Sequence, residues 1–392
     1  MGKKSKWEYF KAIYARYRKA ELEEKSRILD EFCRVCGYNR KYAISKLNGS
    51  APEEGKKGKR RRKRGFQYSQ QVIGVLFQVW QASGNPCSVR LKAVLRGWMS
   101  WIGERFKLTP QMEKDLLSIS YRQMDRRLKP MKAQYKRRIY GRTKPGPLLR
   151  YLIPIKTEHW NVKAAGFTQT DTVSHSGPSA EGLFGYTVNQ TDILTTWVES
   201  RAILGKGERQ VVESLDEMKE DFPFAIRGIN PDNGTEFINY HLFRYCKIHN
   251  IEFTRSRPYK KDDHAHIEQK NWTHVRKLMG WDRYDTHQAI DAMNDLYKNE
   301  LRVFMNLFTP SMKLQRKVRF GSKIQRVYDQ PQTPLDRVIK SGQGDTQKLA
   351  RLIQLRDWVD PFVLSKTIEA KLQCIYRLAT RPRRDSAKNS KN

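Results

Sequence analysis

The chain has few cysteines and no long apolar run. Its five cysteines are too few and too scattered for a disulfide framework, at Cys33, Cys36, Cys87, Cys246 and Cys374. Cys33 and Cys36 form a CxxC pair, but a zinc site needs two further ligands and the first histidine is His159, so we expect both sulfurs in or beside a helix core. No stretch of about 18 apolar residues could span a bilayer, and the N-terminus lacks the apolar segment of a signal peptide. We therefore expect a cytoplasmic protein with no membrane partner.

Acidic residues are scarce relative to basic ones. Lysine and arginine number 76 against 41 aspartates and glutamates, which gives a formal net charge of +35. The excess lies in the N-terminal third, where residues 1–150 hold 38 basic and 12 acidic residues. This charge predicts binding to a nucleic acid, with an affinity that falls steeply as salt rises.

A first helical pair is predicted in "EKSRILDEFCRVCGYNRKYAISKLNG". Apolar residues recur at helical spacing up to the break at Gly37, and a second helix follows that carries Arg40, Lys41 and Lys46. This is a helix-turn-helix pattern. The run "KKGKRRRKR" after it is too charged to pack, and it is typical of an arm on DNA phosphates or of a nuclear address. Its candidate DNA contacts are Arg60, Arg61, Arg62 and Arg64.

Two more helical pairs are predicted in "SQQVIGVLFQVWQASGNPCSVRLKAVLRGWMSWIG" and "TPQMEKDLLSISYRQMDRRLKP". Ser120 is the expected N-cap of a helix that carries Arg122, Arg126 and Arg127. One such pair alone is explained as well by an ordinary helical hairpin. Three in series on a strongly basic segment favour helices that contact DNA grooves.

A mixed α/β pattern begins after the Gly- and Pro-rich linker "YGRTKPGPLLRYLIPIKT". Three successive strands are predicted at "AGFTQTDTVSH", "GLFGYTVNQ" and "TDILTTWVESRAI". They are followed by the helix "ERQVVESLDEMKEDF", the strand "FAIRGI", the helix "EFINYHLFRYCKIHN", the strand "IEFTRS" and the helix "HAHIEQKNWTHVRKLMG". This order predicts a mixed five-stranded sheet with helices on its faces.

Three acids lie at the ends of these elements: Asp171 late in the first strand, Asp232 just past the fourth, and Glu268 on the final helix. Asp232 falls in "RGINPDNGTEFIN", where Pro231 and Gly234 give a turn signal. That motif alone is explained as well by a turn-forming aspartate as by a metal ligand. Between Asp232 and Glu268 lie 35 residues.

In "TQTDT", "NPDNGTEFIN" and "TRSRPYKKDDHAHIEQKNW", in this order and with this gap, the chain resembles the DDE transposases and retroviral-type integrases. The resemblance is close over 167–283 and implies an insertion-sequence transposase with a ribonuclease H-like core. It implies that Asp171, Asp232 and Glu268 are catalytic and bind two Mg²⁺ ions, with Mn²⁺ as an alternative. Carboxylate oxygens suit these ions, and without metal three clustered carboxylates would repel one another, which favours the ligand interpretation of Asp232.

Several residues near these acids are further candidates. Lys260, Lys261 and Lys270 are expected to hold the phosphates of a DNA end, although a solvated basic surface explains them equally well. Asn271 shares the helix face of Glu268. The family more often has asparagine at the position of His264, and a surface location is expected for His264, His266 and His274.

The remaining predictions concern three aromatic residues and the division of the chain into segments. A core location is expected for Trp197, Phe237 and Trp272. The predicted segments are a helix-turn-helix domain 1–55, a basic linker 56–66, two further helical DNA-binding units 67–139, a linker 140–157, a catalytic core 158–309, a helical C-terminal module 310–380 and a disordered basic tail 381–392.

The leading hypothesis is a DNA transposase or integrase that cuts at the ends of a mobile element and joins the freed 3′-hydroxyls to target DNA. Its expected partners are element ends, target DNA and further copies of the chain on DNA, with no small-molecule substrate. Two alternatives stay open: a non-catalytic helix-turn-helix regulator, which has no use for three convergent acids, and a nuclease that only hydrolyses.

Overall fold

The computed structural model of the chain describes residues 2–49, 68–134, 162–231, 237, 239–254, 265–320 and 323–380. The chain divides into two compact units, Met1–Gln67 and Tyr68–Asn392. The predicted linkers 56–66 and 140–157 and the predicted tail 381–392 lie outside the described residues. The predicted segment boundaries therefore stay predictions.

The first unit contains three helices, α1 (Lys3–Lys19), α2 (Leu22–Cys36) and α3 (Arg40–Leu47). Gly37 ends α2 in the left-handed conformation at φ 63°, which glycine adopts without steric cost. The side chain of Asn39 then begins α3 by accepting the N–H of Lys41 at 3.0 Å. The core of this unit consists of Phe10, Ile13, Tyr17, Ile28, Leu29, Phe32, Cys36, Ala43 and Leu47. Cys36 is buried in this core and Cys33 packs against it, which confirms the helix-core interpretation of the CxxC pair.

The second unit begins with five helices: α4 (Gln70–Ala82), α5 (Ser88–Gly97), α6 (Met99–Phe106), α7 (Pro110–Ser118) and α8 (Tyr121–Gln134). The predicted break between α4 and α5 is confirmed. The predicted cap at Ser120 is also confirmed, because its hydroxyl accepts the N–H of Gln123 at 3.4 Å.

These helices pack on the same core as the rest of the second unit. Trp98 is fully buried and donates its indole N–H to the carbonyl of Phe308 at 3.3 Å. Its ring centroid lies 6.1 Å from that of Phe304 and 5.4 Å from that of Phe362. Helices α4–α8 are thus built into the second unit.

A five-stranded mixed sheet follows, formed by β1 (Phe167–His175), β2 (Gly185–Asp192), β3 (Val198–Leu204), β4 (Gly228–Pro231) and β5 (Glu252–Phe253). The strand order is β3-β2-β1-β4-β5. The first three strands are antiparallel, whereas β4 runs parallel to both β1 and β5. Helix α9 (Glu208–Asp221) connects β3 to β4, and α10 (Tyr240–Ile248) lies between β4 and β5. This sheet with its flanking helices fits a ribonuclease H-like core, as predicted.

After β5 the described chain resumes in a helix whose hydrogen-bond pattern changes twice. It consists of α11 (Ala265–Lys270), a π-helical segment π1 (Asn271–Arg276) and α12 (Lys277–Met279). A second long helical region contains α13 (His287–Leu296) and the π-helical segments Tyr297–Leu301 and Phe304–Phe308. This second region ends before Pro310.

The C-terminal module is not wholly helical, so that part of the prediction was wrong. It opens with an antiparallel hairpin of β6 (Leu314–Phe320) and β7 (Lys323–Tyr328) and continues with α14 (Pro334–Ser341), α15 (Thr346–Trp358) and α16 (Pro361–Arg377). The hairpin was missed because its strands are rich in lysine and arginine, and strand formation depends on cross-strand neighbours rather than on local hydrophobicity.

Candidate active site at the edge of the sheet

Asp171 lies on the central strand of the sheet, where the antiparallel and parallel halves meet. It is the register partner of Asn189 on β2. One carboxylate oxygen, Oδ1, accepts the backbone N–H of Thr172 at 2.7 Å. The other, Oδ2, accepts the side-chain amide of Asn271 at 2.6 Å. Both donors are electrically neutral, so they orient the carboxylate without cancelling its charge.

A chain of side-chain hydrogen bonds runs across three strands to this carboxylate. Ser200 on β3 donates its hydroxyl to Oδ1 of Asn189 at 2.8 Å, and Asn189 donates its amide to Oδ1 of Asn271 at 2.8 Å. The last bond is the one from Asn271 to Asp171. Ser200 and Asn189 are buried, so each bond replaces water that the site excludes. These donor and acceptor roles fix the orientation of both amides. The NH₂ group of Asn189 points to Asn271, and the NH₂ group of Asn271 points to the Asp171 carboxylate.

Two hydrogen bonds bracket Glu268 and hold its helix on β1. The N–H of Ile267, one residue before Glu268, donates to the side-chain oxygen of Gln169 on β1 at 3.2 Å. Asn271, three residues after Glu268, donates to Asp171. The backbone at Glu268 is therefore fastened to the strand that carries Asp171. The side chain of Glu268 is not among those the structure describes.

The parallel strand β4 approaches the same point. Its last residue, Pro231, is the register partner of Thr170, the residue before Asp171. Asp232 is bonded directly to Pro231 and lies outside the described residues, as do Lys260, Lys261 and His264. Two of the three predicted acids are thus on elements that the structure brings together, and β4 stops one residue short of the third.

Sequence analysis missed Asn189 and Ser200 as members of this site. Each is one of several polar residues in its strand, and the sequence of β2 or β3 alone does not distinguish it from a solvent-facing position. Only the register pairs Asp171–Asn189 and Asn189–Ser200 show that they lie beside the acid.

Burial decides the predicted locations of three aromatic residues and of His274. Trp272 is 53% exposed, so its predicted core location was wrong, whereas Trp197 and Phe237 are fully buried as predicted. His274 is buried rather than on the surface. The reason is the π-helical segment, which adds residues to the turn and changes which positions face the sheet.

Lys270 also faces inward. Its residue is only 8% exposed, and burial, together with the nearby charges of Arg337 and Arg90, lowers the pKa of its ammonium to about 7. A lysine so placed cannot reach a DNA phosphate without rearrangement. Lys270 is therefore not among the proposed DNA contacts.

The other candidate DNA contacts lie on α8, in the first unit and in the basic arm. Arg122 and Arg126 are exposed on α8 at helical spacing, while Met124 and Leu128 of the same helix are buried. In the first unit, Arg40 bonds to Asp30 and to Ser26 of α2.

Lys46 is also engaged within the first unit. Its ammonium lies 4.9 Å from the ring centroid of Phe10 and 5.1 Å from that of Tyr38. Lys41 is exposed. The basic arm with Arg60, Arg61, Arg62 and Arg64 lies outside the described residues, and Arg127 is half-buried on α8.

Within the described part of the chain, to which Asp232 and the Glu268 side chain do not belong, no three His, Cys, Asp or Glu side chains converge as metal ligands. No helix among the described residues is long and apolar enough to cross a membrane.

The order and direction of the five strands fit a ribonuclease H-like core. The chain is 34% identical over 333 residues to the uncharacterized protein y4rM of Sinorhizobium fredii, covering 84% of this chain and 94% of that protein. It belongs to the family of that protein. No family model matches the chain.

Solved structures with a partial likeness are catalytic cores of retroviral integrases. The HTLV-2 integrase catalytic core domain in complex with magnesium, in its dimeric form, aligns at a TM-score of 0.29 with 13% identity, over 38% of this chain and 91% of that one. The catalytic core domain of BIV integrase aligns at 0.30 with 13% identity, over 44% and 95%. Because these scores are low, the fold assignment rests on strand order and direction.

Proposed function

We propose that this protein is a DNA transposase of the DDE type, which cuts DNA at the ends of a mobile element and joins the freed 3′-hydroxyls to target DNA. One observation carries the proposal. The helix of Glu268 is bonded to Asp171 through Asn271, and β4 stops beside Asp171, one residue before Asp232. In the proposed site the three acids would come together beside the central strand β1.

The donor set around Asp171 fits a divalent metal ion. Mg²⁺ prefers carboxylate oxygens, and the bonds from Thr172 and Asn271 come from neutral groups that leave the carboxylate its charge. In the proposed site Asp171, Asp232 and Glu268 would hold the metal. When bound, two such ions would activate the attacking oxygen and stabilise the leaving one in an in-line phosphoryl transfer.

The chain's own residues orient this site. Asn271 fixes the plane of the Asp171 carboxylate, and Asn189 and Ser200 fix Asn271. Because the residues behind the acid are buried, water does not compete for these bonds. The arrangement is therefore set before DNA arrives, which reduces the reorganisation that the reaction would otherwise require.

DNA would be held by the basic surfaces. Arg122 and Arg126 project from one exposed face of α8, and the α4–α5 turn is tied to the helix of Glu268 by a bond from the Lys277 ammonium to the carbonyl of Gly84 at 2.9 Å. A helical DNA-binding surface would thus keep a fixed distance from the reaction site. We also propose that the protein works as a homo-oligomer on DNA, since both element ends must be processed.

The experiment is a joining assay with purified protein, Mg²⁺, DNA from the boundaries of its own element and a supercoiled target. Asp171→Asn, Asp232→Asn and Glu268→Gln are nearly isosteric and should stay folded and bind DNA. Each should lower cleavage and joining by orders of magnitude, because each removes an anionic oxygen ligand. Asp291→Asn, which changes an exposed aspartate on α13, is the matched control and should stay active.

The outcomes separate the alternatives. Cleavage without joining would favour a nuclease, and specific binding without Mg²⁺-dependent chemistry would favour a regulator. Normal activity in Asp232→Asn would return that residue to the role of turn former, because asparagine serves equally well in such a turn.

A further inference from the structure

Trp272 presents an indole to solvent beside the candidate active site. It is 53% exposed, whereas Trp98 and Trp197 of the same unit are buried and Trp281 is covered by the guanidinium of Arg276, 4.1 Å from its ring centroid. In the part of the chain that the structure describes, no other ring or cation packs on the Trp272 indole. An exposed indole offers a surface on which a ligand can stack, and Trp358 on α15 is more exposed still at 77%, so what distinguishes Trp272 is its position beside Asp171.

The position of this indole is set by rigid neighbours. Trp272 directly follows Asn271, whose amide holds Asp171 at 2.6 Å, and lies four residues after Glu268 on the same helix. Adjacent Cα atoms are about 3.8 Å apart, so the indole begins one backbone step from the group that orients the acid.

The helix around Trp272 is π-helical, a conformation that occurs mostly as single turns and often at functional sites. Asn271 faces the sheet, where its side chain contacts Asp171 and Asn189, while Trp272 is exposed to solvent. Thr273 stabilises the segment by donating its hydroxyl to the carbonyl of Gln269 at 3.0 Å.

The surroundings of the indole suit a nucleobase better than a protein surface. Gln269, one turn earlier, is exposed, and Thr273 is half-buried, so the described neighbours along this face are polar rather than an apolar patch. A stable protein interface needs a contiguous area on the order of 800 Å² per partner, whereas one base matches one indole. The net charge of +35 also favours a polyanionic partner.

We propose that Trp272 stacks on an unpaired base of the DNA strand whose phosphate reacts at Asp171. This inference rests on the proposed transposase function and deepens it by naming a strand-positioning residue. Stacking on an aromatic side chain tolerates any base, because every base has a π-face. Trp272 would hold the strand end without specifying its sequence.

The test uses full-length protein and a DNA duplex of arbitrary sequence with a single-stranded overhang, in which 2-aminopurine replaces one overhang base at a time. Wild-type protein should quench the fluorescence at one overhang position. Trp272→Ala should lose that quenching and bind the overhang DNA about tenfold more weakly, while Trp272→Phe should keep most of both. Trp358→Ala, which removes an indole that is 77% exposed on α15, is the matched control and should behave as wild type.

Unchanged quenching and affinity in Trp272→Ala would overturn the proposal. A loss of self-association in Trp272→Ala with unchanged DNA binding would also overturn it, in favour of a subunit contact. The two proposals fail in different ways. If Trp272→Ala joins DNA at the wild-type rate, the stacking proposal is wrong and the transposase proposal stands. If quenching depends on Trp272 but no Mg²⁺-dependent chemistry occurs, the stacking proposal stands and the transposase proposal is wrong.

Discussion

Asn271 donates its side-chain amide to Asp171 over 2.6 Å from a position three residues after Glu268. The bond joins the helix of one predicted acid to the strand of another. The side-chain oxygen of Asn271 accepts the amide of Asn189, so the Asn271 amide cannot rotate without breaking two hydrogen bonds. This relationship makes Asn271 a positioning residue whose removal should affect the reaction more than the fold.

Asn271→Ala should lower the joining rate by about 10- to 100-fold, a usual cost of losing a group that orients a metal ligand. It should also raise the Mg²⁺ concentration for half-maximal rate, which a merely structural defect would not do. Asn299→Ala is the matched control, because the exposed Asn299 of the π-helical segment Tyr297–Leu301 also donates its amide to an aspartate, Asp295, at 2.9 Å, but on a different helix from Glu268. Equal Mg²⁺ dependence in both variants would contradict the assignment.

Replacing Arg122 and Arg126 together by glutamine should weaken DNA binding for all sequences. If both contact phosphates, the slope of log affinity against log salt should become less steep by about 2. Binding measured across a salt series checks this expectation. The double change Arg209→Gln and Arg351→Gln, at two other exposed arginines, is the control. An unchanged slope in the α8 variant would remove that helix from the DNA contacts.

Residues 68–392 should fold without the first unit, whereas 151–392 should not. The shorter piece lacks Trp98, which is buried against Phe304, Phe308 and Phe362, and would expose their rings to water. Thermal unfolding followed by calorimetry distinguishes the two pieces. A cooperative transition for 151–392 at the temperature of the full chain would show that α4–α8 do not contribute to this core.

Acid should destabilise the fold through buried histidines. Burial lowers the pKa of His175 from 6.5 to about 3, and its Nε2 lies 2.7 Å from the hydroxyl oxygen of Thr187. Between pH 6.5 and about 3 the unfolded chain binds a proton that the folded chain does not, so stability falls as pH falls. The free energy of unfolding should drop by about 1.4 kcal/mol per pH unit for this group. Burial also lowers the pKa of His274 well below its usual value, which adds to the effect.

Urea unfolding at several pH values measures this slope. His175→Gln should reduce the slope by about 1.4 kcal/mol per pH unit, the contribution of one proton, because glutamine does not titrate in this range. His287→Gln, at an exposed position on α13, should leave it unchanged. An equal slope in wild type and His175→Gln would show that His175 is not the group responsible.

The sequence by itself determined the order of the five strands of the mixed sheet and the helices between them, and the positions of Asp171 and Glu268 on these elements. Period-two alternation located β1 to β3, and amphipathic spacing located α9 and the helices of the basic third. Gly37 and Ser120 marked helix ends, because helix capping depends on a few adjacent residues. All of these are local signals.

Tertiary structure alone decided which side chains meet. Nothing local distinguishes Asn189 and Ser200 from other polar strand residues, since their role arises from the pairing of β2 with β1 and β3. The exposure of Trp272 and the burial of Lys270 and His274 depend on the π-helical turn and on the elements packed around it. The periodicity of an ideal α-helix could not predict them, because inserting residues into one turn changes the direction of every side chain that follows it relative to the sheet.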